Sequence, residues 1–521
     1  MRTILIASWK FGKRAVPIAI IAVLALSLIA ASNNIVWLQA GQGRANWHSQ
    51  PLETTISSQN VANLTVKWDN AGGDVSATPS VSDGVVYYPD YNGNLYAVNA
   101  TSGAVIWQDT LSSFFTPEDV ITGTAFSRTT PTIDGNVLYV GLQNNGWLLA
   151  ISRNKGNLLW KTRLDKHPAA SITQSPAGYN GVLFVGMSSQ EEGFATNPNY
   201  PCCSFRGSLS AVDEKTGQVL WKTYTTPENG GLTNGYSGNA VWGSTPVVDT
   251  SRGLVYITTG NNYTVPADVA AGTTPLDPTD YVDSILALDL NSGKVVWAAP
   301  HLGLSSDTWT VPCLYSQPGT ANCPDPAGPD YDFGQGVMEV SRTVNGMNQD
   351  LVIAGQKSGK LWALDAGTGQ VAWMYDSGVG YSLGGMEWGS ATDGKTVFFA
   401  NAIGGFWGAV DIATGELKWK TSDPNLPGPT FYANDIGGVS YANGVVYVGS
   451  LGGGKNLTPT SPTMFALDAS TGKILWQYAS GSSVASSPAI VNGVVYWGTG
   501  YARLDQGVGA GTNDFYAFSL K

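Results

Sequence analysis

The chain has 521 residues, 27 of them Lys or Arg and 38 Asp or Glu, for a formal net charge of −11. With no Lys/Arg cluster beyond the extreme N-terminus, this excludes a generic nucleic-acid binder, which needs a basic stripe against phosphates. A hydrophobic share of 43% excludes disorder, and 64 Gly, 18 Trp and 23 Tyr suit many short strands joined by tight turns.

In chain order, Arg2, Lys10, Lys13 and Arg14 flank an apolar run from Ala15 to Ala31 that closes on Ala30, Ala31 and Ser32. This reads as a secretory signal or a single N-terminal membrane anchor over residues 1–32. Either alternative places the remainder in the periplasm or outside the cell, with 33–44 as a linker and 45–521 as one folded domain. Four cysteines suit that oxidising compartment. Cys202 and Cys203 are adjacent, and Cys313 and Cys323 flank a Pro/Gly-rich stretch. There is no C-x-x-C-H haem site and no paired C-x-x-C zinc pattern, and three histidines (His48, His167, His301) argue against a histidine metal site.

From residue 96 onward one pattern recurs: YAVNATSGAVIW ends at Trp107, LAISRNKGNLLW at Trp160, SAVDEKTGQVLW at Trp221 and LALDLNSGKVVW at Trp297. WALDAGTGQVAW at Trp373, GAVDIATGELKW at Trp419 and FALDASTGKILW at Trp476 complete seven copies. Each is a strand, an Asp/Asn turn with Thr/Ser-Gly, and a second strand ending in Trp; most are followed by two further strands around an Asp/Asn-Gly turn. Four strands per roughly 40 to 75 residues is a propeller-blade period. An eighth unit is divided between the chain ends, LTVKW at Trp68 and DFYAFSL at 514–520. The expected fold is therefore all-β, an eight-bladed β-propeller closed by pairing of N- and C-terminal strands, which removes an open edge. The repeated Trp residues are expected to pack between blades.

The A-x-D-x-x-T-G-x-x-x-W repeat resembles the tryptophan-docking motif of quinoprotein alcohol dehydrogenases, which hold pyrroloquinoline quinone (PQQ) on the propeller axis. The resemblance spans essentially the whole mature chain. It implies roles for residues that a blade does not need. VGMSSQEEGF matches the family segment in which a Ser contacts PQQ and a Glu binds calcium, implying Ser188 and Glu191; Thr173, eighteen residues before Glu191, stands at the offset of a cofactor-contacting Thr. AVWGSTPVVDTSRGLVYITTGNNY implies Trp242 as the platform on which the quinone stacks and Asn261 as a calcium ligand. An aromatic face suits a flat cofactor, and oxygen donors suit a hard cation.

Arg128 in AFSRTTPTIDG matches an Arg that clamps a PQQ carboxylate, with Arg206 in CCSFRG as a second candidate. Lys357 in VIAGQKSGKLWALD matches the cation paired with the catalytic base. SSDTWT has Thr310 where the family pattern has Asp, so PDYDFGQGVMEV is aligned instead, implying Asp332 as base and calcium neighbour with Asp330 as the alternate. Gly334 occupies the position of an extra Asp in lanthanide-using relatives, favouring Ca2+. Cys202-Cys203 resembles the vicinal disulfide that packs over PQQ, the alternative being two buried free thiols; Cys313–Cys323 would then close a loop. The placement of that pair, NCPDPAGPDYDFG, and GGMEWG with Glu387 and Trp388 are similar to polyvinyl alcohol dehydrogenases. The Glu that some relatives use near the first blade has no match, and Ser76 stands there. The resemblance thus implies PQQ- and calcium-dependent oxidation of a small or polymeric alcohol, with electrons passed to a separate acceptor such as a cytochrome c. The alternatives are a non-enzymatic propeller scaffold and a sugar-binding or sugar-oxidising propeller.

Overall fold

The computed structural model describes residues 35–300, 302, 307–314, 316–320, 322–344, 346–378, 380–382, 384–425, 435–452, 457–501 and 514–521. The expected signal or anchor over 1–32 lies outside the described residues. The described chain forms eight antiparallel sheets of four strands, one carrying an additional short strand, plus one small two-stranded ribbon. Seven sheets are consecutive blades. The eighth joins Leu64–Ala71 to Asp514–Leu520, in register Trp68 to Ala517, and continues through Val494–Gly498 to Ala489–Val491. The closed eight-bladed ring is as expected.

Burial along a blade follows the position of each strand. The inner strands Trp147–Ser152 and Val445–Gly449 are buried at every residue because neighbouring blades cover both faces. The outermost strand Val105–Thr110 is mostly exposed. Between the last two strands the repeated Asp or Asn folds the chain back on itself. Asp213 Oδ1 accepts hydrogen bonds from the Lys215 and Thr216 amides and the Thr216 hydroxyl, and Asp365 and Asp468 repeat the pattern.

Each docking tryptophan then binds the next blade. Trp107 Nε1 donates to Arg153 O at 2.9 Å, Trp297 to Ala366 O at 3.1 Å, and Trp476 to Leu64 O at 3.1 Å, which carries the pattern across the chain ends. Its ring lies on a turn glycine of the following blade: a Cβ on Gly369 would stand 2.5 Å from the Trp297 ring, and its φ of 72° also favours Gly. The recurring spacing of Trp and Gly is thus an interblade contact.

Residues 35–44 differ from the expected linker. Trp37 is fully buried, pairs through its backbone with Val81, and joins the core of the closing blade. A large apolar side chain beside the blade gains more by packing than by remaining in a free segment.

Candidate active site

The segments leading into successive blades converge on the ring axis and carry mostly small residues there, among them Ser76, Thr78, Thr130, Ser175, Ser244 and Ser487. They line a cavity of about 60 Å3, into which Arg128, Thr173, Trp242, Trp388 and His48 project. The Arg128 guanidinium lies over the Trp388 ring at 5.2 Å and makes no ion pair among the described residues. Trp388, with φ 57°, is held edge-on against Tyr501. The Thr173 hydroxyl is buried without a partner, as are both ring nitrogens of His48, whose burial lowers its pKa to about 4 and keeps it neutral.

Beside this cavity sits a buried charge cluster. Lys357, 3% exposed, follows the strand Met347–Gly355, and its ammonium lies 2.7 Å from Asp330 Oδ1 and 3.2 Å from Asp332 Oδ2. It also stands 5.4 Å from the centre of the Trp242 ring. Asp332 Oδ2 accepts from Trp242 Nε1 at 3.1 Å, and its Oδ1 accepts from the Asn261 amide at 2.5 Å. That approach requires Gly260, where a Cβ would lie 2.6 Å from Asp332 Oδ1. Asp330 is completely buried and accepts from Thr310 N through its second oxygen. Burial raises its pKa to about 6 against the opposing pull of Lys357. Asp332 keeps more exposure than Asp330, 12% of its side chain against 1%.

Asp307 positions this pair. Its two carboxylate oxygens accept from the amides of Asp330 at 3.0 Å and Tyr331 at 2.6 Å, holding the turn that presents both aspartates. Glu387, 4% exposed with Oε1 unpartnered, is raised to about 7 by burial. The Lys357 ammonium, raised well above its ordinary value by Asp330, Asp332, Glu192 and Glu387 in spite of burial, stays charged.

Glu191, expected beside calcium, has its carboxylate engaged by the loop that follows it. Glu191 is fully buried, but its carboxylate accepts from the Tyr200 hydroxyl and the Ser204 and Phe205 amides, within 3.5 Å of His167. It therefore anchors the loop that carries Cys202 and Cys203. Glu192 is the member of the pair that interacts with Asp330, Lys357, Asp332 and Glu387, and burial pushes it to about 8. The single helical turn Glu191–Phe194 accounts for this, because adjacent residues on a helix diverge by about 100° and only one can face the cluster. The Glu-Glu doublet was the sequence signal for Glu192, and it did not say which member turns inward.

Cys202 and Cys203 form a disulfide, as do Cys313 and Cys323. Cys203 is buried in an apolar cluster against which Cys202 and Trp242 both pack. Ser188 lies at the end of the strand Val182–Ser189, paired with Ser171 at the edge of the same blade. Arg206 donates three hydrogen bonds, to Glu228 and Thr226, lies over Tyr224, and is not among the residues that line the axial cavity. At Gly334 a Cβ would lie 3.0 Å from both Trp242 Cη2 and Glu387, so packing as well as ligation bears on that position.

The donor set suits a flat, anionic cofactor on the axis: a tryptophan platform, an arginine without a carboxylate partner and an unpartnered hydroxyl line the cavity. Asp330 and Asp332 hold the Lys357 ammonium, and beside Asp332 the buried side-chain nitrogen of Asn261 has no partner, a carboxylate- and amide-rich setting that suits a hard divalent cation. No three His, Cys, Asp or Glu side chains among the described residues stand close enough to hold an ion unaided, so Asn261 would have to contribute.

A family model described as outer membrane protein assembly factor BamB matches residues 31–281, 280–436 and 408–518. A polyvinylalcohol dehydrogenase of Pseudomonas sp is 30% identical over 515 residues, covering 91% of this chain and 74% of that protein. Another, from Sphingopyxis sp. (strain 113P3), is 30% identical over 85% of this chain and 69% of its own length. Among solved structures, the quinohemoprotein alcohol dehydrogenase ADHIIG of Pseudomonas putida HK5 aligns with a TM-score of 0.69 at 18% identity, over 93% of this chain and 80% of its own, which shows a shared fold.

Proposed function

Because the chain is an oxidoreductase belonging to the PQQ-dependent quinoprotein alcohol dehydrogenase family, we propose that it oxidises a secondary or polyhydroxylated alcohol at the axial site, using PQQ and calcium. The observation that carries this reading is Lys357 clamped between Asp330 and Asp332 against the Trp242 ring. A structural ion pair needs neither two carboxylates nor an aromatic platform facing a cavity.

Trp242 and the Cys202–Cys203 disulfide would flank the cofactor, and Arg128 and Thr173 would meet its polar edge. Trp388, beneath Arg128, and Glu387, beside Trp242, would border it as well. Calcium would draw on Asn261, Asp332 and Glu192, with Glu191 holding the disulfide loop in place. When bound, PQQ supplies the acceptor for the two electrons and the hydrogen that leave the carbinol carbon.

The protein's part is proton handling and orientation. Asp332 takes the hydroxyl proton, because it lies next to Trp242 and its side chain keeps more exposure than that of Asp330. Lys357 pairs with Asp332 and steadies negative charge developing on the substrate oxygen. Asp330 is the inner counter-ion that keeps the Lys357 ammonium in place, and Asp307 fixes the turn beneath both aspartates. A separate electron acceptor such as a cytochrome c completes the reaction. Export to the periplasm or beyond rests on residues 1–32; among the described residues no helix is long and apolar enough to cross a membrane.

The test is to express the chain with its leader, collect the exported protein, add PQQ and calcium, desalt and record the absorption spectrum, then assay primary and secondary alcohols, diols and polyvinyl alcohol with an artificial acceptor. About one retained equivalent of quinone and oxidation of at least one alcohol class is expected. A folded protein that retains no quinone would overturn the reading and leave a scaffold.

A further inference from the structure

Behind the turn that presents Asp330 and Asp332 lies a carboxyl group that the chemistry so far leaves unused. Asp283, two residues before the strand Ile285–Asp289, is 1% exposed, and neither of its carboxyl oxygens has a hydrogen-bond donor among the described residues. Its backbone is tied on both sides: the amide donates to Gly260 O at 3.0 Å, and the carbonyl accepts from Leu302 N at 3.2 Å. Asp307 is tied to the same segment, its carbonyl accepting from the Asn262 amide at 3.3 Å. These anchors bring the Asp283 and Asp307 carboxyl groups into hydrogen-bond contact.

Two carboxylates are both acceptors, so such a contact closes only when a proton lies between them. The surroundings decide which of the two carries it. Both Asp307 oxygens accept backbone amides, from Asp330 at 3.0 Å and Tyr331 at 2.6 Å, which is how an ionised carboxylate is satisfied. Asp283 has no such donors. Burial first, then repulsion from Asp307 and Asp332, holds its pKa well above the ordinary carboxyl range, so it is the neutral acid. An acid O–H buried without an acceptor would be costly, and Asp307 is the acceptor.

The contact matters because of what Asp307 holds. Asp330 has a φ of 63°, a conformation that a residue other than Gly keeps only where its surroundings enforce it. The two amide bonds to Asp307 enforce it, and Gly328 admits the carboxylate, since a Cβ there would lie 2.6 Å from Asp307 Oδ1. We propose that Asp283 is a positioning residue for the reaction: as a carboxylic acid it donates its O–H to Asp307 and thereby keeps Asp330 and Asp332 aimed at Lys357 and Trp242. Its effect on turnover rests on the alcohol-oxidising reading; its hold on the turn does not.

Asn has nearly the shape of the acid and is also neutral, with N–H in place of O–H, so Asp283→Asn keeps the donor. Asp283→Gly removes the donor and suits the φ of 43° at this position. In the holoenzyme Asp283→Gly should lower kcat about 10-fold or more while KM and quinone retention hold, and Asp283→Asn should keep kcat within about 3-fold of the unsubstituted protein. An Asn variant as impaired as the Gly variant, or a Gly variant of unchanged kcat, would overturn the assignment. In the cofactor-free protein, hydrogen exchange followed by mass spectrometry should show the 328–334 segment exchanging about 10-fold faster in Asp283→Gly and unchanged in Asp283→Asn. Should the Gly variant not fold, infrared difference spectroscopy decides: the unsubstituted protein minus Asp283→Asn at neutral pH should show the C=O band of a protonated carboxylic acid, and its absence would overturn the proposal. If no alcohol is oxidised, the alcohol reading fails, and exchange and infrared alone decide. Protection lost only in the Gly variant, with the acid band present, supports the positioning role; unchanged exchange in that variant, or no acid band, overturns it.

Discussion

Glu387→Gln should stabilise the metal-free, cofactor-free protein at pH 8 by about 3 kcal/mol and at pH 5 by only about 1 kcal/mol or less. Glu387 is 4% exposed, one of its oxygens has no partner, and burial raises its pKa from 4.5 to about 7. A folded-state pKa above the unfolded one means that the folded protein holds a proton which the unfolded chain has released. The contribution to stability is therefore full below about pH 4.5 and is lost as pH rises through about 7. At about 1.4 kcal/mol per tenfold in proton affinity, the loss above pH 7 is about 3 kcal/mol. Gln has nearly the same shape and no charge to bury, so it escapes this loss. With an unfolding entropy of about 2.1 cal/mol/K per residue, the roughly 490 residues of the folded unit give about 1 kcal/mol/K, so the variant should melt about 3 °C higher at pH 8. Differential scanning calorimetry in chelator from pH 5 to 8.5 measures this. A variant whose offset is the same at every pH, or which melts lower at pH 8, would refute the reasoning, because it would show that Glu387 is not the buried acid described.

Other substitutions separate the remaining roles. Asp332→Asn should abolish turnover while the bound quinone spectrum persists; unchanged turnover would move the base to Asp330. Glu192→Gln should raise the calcium needed for half-maximal activity roughly 10-fold or more, whereas Glu191→Gln should chiefly loosen the disulfide loop, seen as faster reduction of Cys202–Cys203. Trp373→Ala, which removes a buried ring and its hydrogen bond to Ile412 O, should cost about 3–5 kcal/mol in chemical denaturation. Arg206→Ala, which breaks a pair with an exposed Glu228, should cost about 1 kcal/mol or less and leave quinone retention unaltered.

The sequence by itself determined the ring. The Trp and turn Gly recur at a period that only stacked four-stranded units satisfy, and each Trp reaches the blade that follows its own, so local spacing specifies the interblade contact. The split eighth unit was legible for the same reason: Trp68 and the 514–520 strand each carry half of a pattern repeated seven times elsewhere. That Trp242, Lys357, Asp332 and Asn261 meet in one place followed from the family resemblance of their segments rather than from the blade pattern. Tertiary structure alone decided how those residues face. One helical turn sends Glu191 to the disulfide loop and Glu192 to the charge cluster, and nothing in a Glu-Glu doublet encodes that rotation. Arg206 and Arg128 look alike in the chain, yet Glu228 and Thr226 claim the first and no carboxylate claims the second. Asp307 stands more than twenty residues before the aspartates it supports, and Trp37 packs where a linker was expected, because burial and hydrogen bonding depend on what converges in space, which the order of residues does not state.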